Sequence, residues 1–215
     1  MTVLLLRSAV AAGIAALVVS PGFGSPPLPW TSPNLVANGG AEIGSAAGDF
    51  STVVRPARWT TTGTFTALRY AVAGDAGRIV SDAIGGGSNV FAGGPGGRTS
   101  SASQLVKIPA RWIPLVREGR VYAKLFAALG GWHASPDSAR GVLHYLDAAG
   151  SSWGTLVLGP VTARERVNTT ALLPVTKTGK VPSQARKIRV VIATTAAAGP
   201  YNYGLADNVA LYLVQ

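Results

Sequence analysis

Short apolar segments alternate with turns rich in Gly, Ser and Asn through the chain beyond residue 33. In the segment 187–194, Ile188, Val190 and Ile192 alternate with a second, less apolar set of residues that includes Arg189. A period of two is typical of a β-strand that turns one face to the core. We therefore predict eight strands, at residues 34–37, 65–73, 104–108, 120–129, 140–146, 155–158, 187–194 and 207–214.

Helical patterns are weak in the same region, because it contains no capped amphipathic stretch of about 10–12 residues. Turn-forming residues are abundant, with 27 Gly and 14 Pro among 215 residues. Apolar residues make up 47% of the chain, which is enough for one substantial core. The sequence thus predicts an all-β protein, a two-sheet antiparallel sandwich that occupies residues 34–215 as one domain.

The first residues have the order of an export signal. Arg7 is followed by the uncharged run 8–20 and then by small residues. This run is shorter than the roughly 20 residues that a membrane span needs. We predict a signal peptide at 1–24, a Pro/Ser-rich spacer at 25–33, and a secreted protein, extracellular or in the cell envelope. After cleavage no transmembrane segment is expected. An uncleaved N-terminal anchor is the alternative.

The chain is basic and contains no cysteine, with a formal net charge of +10. The lack of cysteine excludes thiolate nucleophiles, Cys-ligated zinc and a redox role. The basic residues are scattered, and no run is longer than Arg186-Lys187. No specific nucleic-acid site is therefore predicted. An envelope-associated structural or adhesion protein that binds an acidic cell-surface polymer stays open as an alternative function, because excess positive charge attracts polyanions.

Two segments have the spacing of catalytic motifs. Residues 150–154 (GSSWG) match G-x-S-x-G, but both histidines, His133 and His144, precede them and a predicted strand follows. We interpret them as a hairpin turn. His133, Ser135 and Asp137 share one loop around a proline, which favours a turn over a triad. No acidic pair is selected as a glycosidase site, so we predict a non-catalytic protein, with a polysaccharide hydrolase or lyase as the least favoured alternative.

Three motifs in order carry a family resemblance. They are NLVANGGAE at 34–42 with Trp59 after it, NVFAGG at 89–94, and YNYGLADNVAL at 201–211. This order resembles secreted galactose-binding-like jelly rolls, which include many carbohydrate-binding modules, and the likeness extends over residues 34–213. The resemblance implies a jelly-roll sandwich with Trp59 in its core. It also implies a secreted, non-catalytic binding module, with carbohydrate as the expected partner.

The same resemblance implies a structural Ca²⁺ near the first and last strands. Glu42 and Asp207 are acids at the matching motif positions, and Asn38 lies in a segment whose backbone carbonyls could add ligands. Ca²⁺ prefers such oxygen ligands. The alternative is that Asp207 caps a turn and Glu42 is a surface acid.

Ligand contacts are expected from loop aromatic residues, because sugar sites combine aromatic rings with hydrogen-bonding groups. Trp132 and Trp153 lie in glycine-flanked loops, and Tyr201 and Asn202 lie in another loop. Arg166 follows a further segment that resembles the family. We predict these five residues as ligand contacts, with aromatic lids on the core as the alternative.

Overall fold

The computed structural model describes residues 30–197 and 199–215, except for the side chains of residues 75 and 76. Ten strands form two antiparallel five-stranded sheets. Sheet 1 has the order β1-β4-β9-β6-β7, with bounds Thr60–Thr62, Thr99–Lys107, Lys187–Thr195, Ser138–Leu146 and Ser152–Leu158. Sheet 2 has the order β2-β3-β10-β5-β8, with bounds Thr66–Arg69, Asn89–Pro95, Tyr201–Val214, Tyr122–Gly131 and Ala171–Lys180. The predicted all-β, two-sheet antiparallel sandwich is confirmed.

The strand count differs from the prediction of about eight. The strands β1, β3 and β8 were not predicted, whereas the predicted strand at 34–37 does not form. Instead, that segment lies beside the last strand, where the Leu35 N–H donates to the Leu211 carbonyl at 2.9 Å. Asn34 also accepts the Leu211 N–H through its side chain. The Asn34 side chain therefore takes the place of one backbone hydrogen bond of a regular β-sheet.

The last residues of the predicted spacer at 25–33 lie beside the last strand. Thr31 forms an antiparallel bridge with Val214, and the Ser32 backbone donates to the Leu213 carbonyl. The Ser32 hydroxyl in turn accepts the Leu213 N–H at 2.9 Å. The residues from 30 onward therefore belong to the sandwich. The predicted signal at 1–24 lies outside the described residues.

The main core lies between the two sheets. Ile188, Val190 and Ile192 all point into it, as the period of two predicts. Trp59 is buried there against Phe91, with ring centroids 5.4 Å apart in an edge-to-face arrangement. The predicted core position of Trp59 is thus confirmed. Burying such rings is a large hydrophobic contribution.

A second apolar cluster covers the outer side of sheet 2. The helix α1 (Asp75–Ile84) lies over it and contributes Val80, so the prediction of no amphipathic helix is wrong. Gly85 ends α1 in the left-handed region at φ 62°, where glycine has no Cβ to clash. The short helix α2 (Ile113–Arg117) precedes β5. Neither these helices nor any other in the described part of the chain could cross a bilayer.

Candidate functional site

The outer side of sheet 1 is uncovered, and we call it the open face. Its outward positions belong to neither of the two apolar clusters found among the described residues. This differs from sheet 2, which α1 and a loop cover. The open face comprises Thr60, Ser101, Ser103, Leu105, Lys107, Arg140, Val142, His144, Trp153, Thr155, Val157, Lys187, Arg189, Val191 and Ala193.

Strand register aligns these side chains in rows across the sheet. The central row crosses all five strands and consists of Thr60, Ser103, Val191, Val142 and Val157. The next row consists of Leu105, Arg189, His144 and Thr155. Neighbouring strands lie about 4.8 Å apart, so the central row is about 19 Å long. The face thus combines an aliphatic centre with hydrogen-bonding flanks.

Large apolar side chains are unusually accessible on the open face. Leu105, Trp153 and Val157 are 54%, 49% and 46% exposed. Leu105 and Val157 alternate with inward-facing residues of their strands, which directs them outward, whereas Trp153 lies where the register of β6 and β7 shifts. Contiguous exposed apolar groups rimmed by polar ones are typical of binding surfaces.

Trp153 stands at the edge of this face with its indole held in place. The indole Nε1–H donates to Asp147 Oδ2 at 3.1 Å. Asp147 Oδ1 accepts the backbone N–H groups of Gly150 and Ser151. The hydrogen bond from Trp153, followed by that from Ser151, lowers the pKa of Asp147. The predicted hairpin turn lies at residues 147–151, between β6 and β7, and residues 152–154 already belong to β7.

The open face carries positive charge without acidic neighbours in its strands. Four cations point outward, namely Lys107, Arg140, Lys187 and Arg189. His144 lies directly opposite Arg189 in the pairing of β6 with β9. The five strands of sheet 1 contain no Asp or Glu. The face is therefore complementary to hydroxyl and anionic groups.

A separate aromatic cluster lies at the opposite end of the sandwich, on sheet 2. Trp132 stacks on Tyr203 at a centroid distance of 6.2 Å, and Phe50 meets Trp132 edge-on at 6.1 Å. Phe50 also meets Tyr201 at 5.1 Å. The space they enclose with α1 is only about 30 Å³, about the share of one water in the liquid. Trp132 and Tyr201 thus act as covers of the second cluster.

The predicted contacts Arg166 and Asn202 are buried, which corrects their placement in a ligand site. Arg166 is 2% exposed, and burial lowers its pKa. Its guanidinium donates to the carbonyls of the loop around it, those of Gly131, His133, Ser135 and Thr169. Asn202 donates to Thr194 Oγ1 at 3.3 Å and accepts the Gly204 N–H. Both side chains hold the fold together.

The predicted ligand residues therefore do not form one site. Trp132, Tyr201, Asn202 and Arg166 lie together at one end, and Trp153 lies at the other end on sheet 1. The loop with His133 and Ser135 is a turn, as predicted. Its Asp137 is buried and accepts the backbone N–H groups of Ala197 and Tyr203, not a histidine proton.

Glu42 and Asp207 do come together, at Gly86 and Gly87. A Cβ at Gly86 would lie 2.4 Å from Asp207 Oδ2, and one at Gly87 would lie 2.8 Å from Glu42 Oε1. Glu42 Oε1 accepts the backbone N–H groups of Ser88 and Asn89. Two carboxylates thus converge on one glycine pair. No group of three or more His, Cys, Asp or Glu suited to a metal occurs among the described residues.

Asn38 does not point toward these carboxylates as a third ligand. Its amide group closes its own loop by bonding the Ile43 backbone and the Ala57 carbonyl. The carbonyl of Asn38 accepts the Trp59 indole proton at 3.0 Å. The amide nearest the pair is that of Asn208, whose Oδ1 lies 3.8 Å from a Cβ position at Gly40.

Asp207 is fully buried beside Tyr70, whose hydroxyl donates to Asp207 Oδ2 at 2.7 Å. Burial, with a smaller contribution from the nearby charge of Glu42, raises the pKa of Asp207 to about 7. Hydrogen bonds from Tyr70 and Asn208 oppose this rise. A carboxylate held in such surroundings gains from a cation close by.

Comparison with known proteins finds no matching family model and no matching curated protein. Among solved structures, the enzymatically active domain of bacteriophage CBA120 tailspike protein 4 matches at a TM-score of 0.50. The identity is 17%, and the match covers 83% of this chain and 21% of the tailspike chain. The present chain thus spans about a fifth of the tailspike chain.

Two carbohydrate-binding modules also match at low identity. The C-terminal family 22 module of Clostridium thermocellum Xyn10B has a TM-score of 0.44 and 16% identity, covering 74% of this chain and 87% of that one. The xylan-binding CBM22-1 domain of Paenibacillus barcinonensis Xyn10C has a TM-score of 0.42 and 11% identity, covering 80% and 99%. At these identities the likeness concerns the fold alone, which is a two-sheet β-sandwich.

Proposed function

We propose that the chain is a secreted, non-catalytic carbohydrate-binding module that holds a polysaccharide across the open face. The observation that carries this proposal is the central row of outward side chains, which crosses five strands and which no helix or apolar cluster of the described chain covers. A folded domain of this size has no structural need for such an accessible aliphatic row.

The chemistry of the face suits a sugar polymer. A sugar ring presents apolar C–H groups that pack on the central valines Val142, Val157 and Val191, and hydroxyls that need hydrogen-bonding partners. Arg189 and His144, in the adjacent row, supply donors for those hydroxyls. Trp153 offers a ring at the edge on which a terminal sugar can stack.

Replacing Trp153 by alanine is expected to weaken polysaccharide binding about tenfold, because a stacking ring contributes on the order of 1–2 kcal/mol. The indole is half exposed, so the melting temperature should change little. Affinity electrophoresis against immobilised polysaccharides and calorimetry with soluble ones would measure the loss.

Trp30→Ala is the matched control. Trp30 is 58% exposed and lies outside the open face, so its removal should leave binding unchanged. Equal losses in the two variants, or binding unaffected by either, would place the ligand elsewhere.

We also propose that Ca²⁺ binds at Glu42 and Asp207, with Asn208 in place of the predicted Asn38. The two carboxylates and one amide oxygen are the hard donors that Ca²⁺ prefers. The glycine pair lets the backbone approach both acids, because a Cβ at either position would clash with a carboxylate oxygen. A bound ion would hold the segment around residue 86 against the last strand, so its role would be structural.

The Ca²⁺ proposal predicts a higher melting temperature with Ca²⁺ than with a chelator, by about 5–10 °C when Ca²⁺ is near 100 times its Kd. Glu42→Gln should abolish the shift while still accepting the N–H groups of Ser88 and Asn89. Glu165→Gln removes another exposed acid and should retain the full shift. An unchanged melting temperature on chelation of the native protein would reject the site.

A further inference from the structure

The charged side chains in the strands of the open face are all positive. Its four outward cations and His144 share a sheet whose strands contain no carboxylate. A neutral sugar needs polar side chains around it, and Asn, Gln, Asp or Ser could supply them without an excess of positive charge. A face whose charged side chains are all cations is instead suited to a ligand that carries negative charge.

Two of these cations face each other across neighbouring strands, and the Lys187 ammonium donates to the Ala148 carbonyl at 2.8 Å. Lys107 lies directly opposite Lys187 in the pairing of β4 with β9. Like charges directly opposite in a sheet are destabilising. Within residues 30–197 and 199–215, one ion pair occurs, between Arg120 and Glu118, and it lies away from this face. An anionic group between the two lysines would remove the repulsion.

One acid, Asp147, lies at the edge of the face beside Trp153, and its charge offsets one of the four positive charges. Asp147 lies in the turn after β6, and its Oδ1 already accepts the N–H groups of Gly150 and Ser151. Its Oδ2 accepts the Trp153 indole proton. The carboxylate is therefore committed to its own turn and to the orientation of the tryptophan.

The spacing of the cations indicates an extended ligand. Arg189 lies opposite His144, and Arg140 lies four residues before His144 on the same strand. At about 3.4 Å per residue, Arg140 and Arg189 are about 14 Å apart along the strands. The aliphatic central row crosses between them. Anionic groups at both ends and an apolar sugar face between them would match this order.

From this arrangement we propose that the open face selects a polysaccharide bearing carboxylate or sulfate groups over a neutral one. The inference rests on the proposed carbohydrate-binding function and adds the charge of the ligand to it. Single-stranded nucleic acid fits less well, because its bases need aromatic platforms. The centre of the face is aliphatic, with Val142, Val157 and Val191 where such platforms would stand.

The test compares polygalacturonate, dextran sulfate and neutral dextran as ligands of the full chain. Binding to at least one acidic polymer should exceed binding to dextran at least tenfold and should weaken steadily as salt rises. The polymer that binds tighter distinguishes carboxylate from sulfate. The double variant Lys107→Gln/Arg189→Gln should lose about tenfold in affinity for the acidic polymer, because exposed charge pairs contribute up to about 1 kcal/mol each.

The control is Arg69→Gln/Arg78→Gln, which removes the same charge from exposed positions on sheet 2 and α1. This variant should keep its affinity within about twofold, because salt screens the interaction between the ligand and charges that lie more than a Debye length away. Equal losses in both double variants would show a general effect of net charge and overturn the inference.

The remaining outcomes separate the two proposals. Binding to dextran as tight as to the acidic polymers, with loss in Trp153→Ala, would retain the module and reject the charge selection. Binding to none of the polysaccharides would reject the module itself. Equal binding of polyglutamate or single-stranded DNA would show an unselective polyanion surface and reject the inference.

Discussion

Replacing Arg166 by leucine is expected to lower the free energy of unfolding by about 3 kcal/mol. The guanidinium is buried and donates to the carbonyls of Gly131, His133, Ser135 and Thr169. Leucine offers no donor, so the buried Gly131 carbonyl and the part-buried carbonyls of His133, Ser135 and Thr169 would lose their partner. An unsatisfied buried acceptor costs about 1–3 kcal/mol.

Urea denaturation would measure the loss, with lysine at the same position as an intermediate case. An ammonium cannot span the four carbonyls that the planar fork reaches, so Arg166→Lys should recover only part of the stability. Arg164→Leu is the control, since Arg164 is exposed in the same loop and should change stability by less than about 0.5 kcal/mol. A comparable small change in Arg166→Leu would mean that the loop carbonyls find other partners.

Gly130→Ala is expected to destabilise the fold by about 3 kcal/mol through overpacking. A Cβ at this position would lie 1.9 Å from the Ala171 carbonyl oxygen on the neighbouring strand β8 and 3.1 Å from Arg166 Cδ. The first contact is with backbone in a regular ladder, so neither strand can move aside without losing hydrogen bonds. Glycine is therefore required at this position for β5, β8 and the Arg166 side chain to pack this closely.

Gly48→Ala is the matched control, because a Cβ at Gly48 would meet nothing within 4 Å. Thermal and urea unfolding of the two variants should differ accordingly. If Gly130→Ala unfolds like the native protein, the separation between β5 and β8 is wider than described here.

The period of two located most of the strands that border the main core. It missed β3, which contributes Phe91 to that core but is buried on both faces and so has no alternation. It also failed where one face is not apolar. The strand β8 buries little beyond Leu172 and contains Pro174, so its sequence has no clear alternation. The helix α1 was missed because Gly77 lies inside it and no side chain caps its start. A Cβ at Gly77 would lie 1.9 Å from the Tyr70 carbonyl, so close packing explains this glycine.

The candidate site was harder to predict because it depends on which face of each strand is exposed in the folded sandwich. The sequence predicts exposed tryptophans in loops, yet it contains nothing that separates Trp132, packed on Tyr203, from Trp153, half exposed at a sheet edge. Arg166 looks like a solvent-exposed residue in a polar loop, and only tertiary contacts bury it. The positive face was visible in part, because Arg189 and Val191 occupy the less apolar side of their strand.

The chain enters and leaves the sandwich at one place. The Gln215 N–H donates to the Trp30 carbonyl at 3.1 Å, and Thr31 bridges Val214. Two linkers attached at these residues would run side by side, so the sandwich could be inserted into a loop of another protein without stretching either partner. Both attachment points lie along β10 in sheet 2, so such a tether would hold the molecule by one sheet and present the other outward.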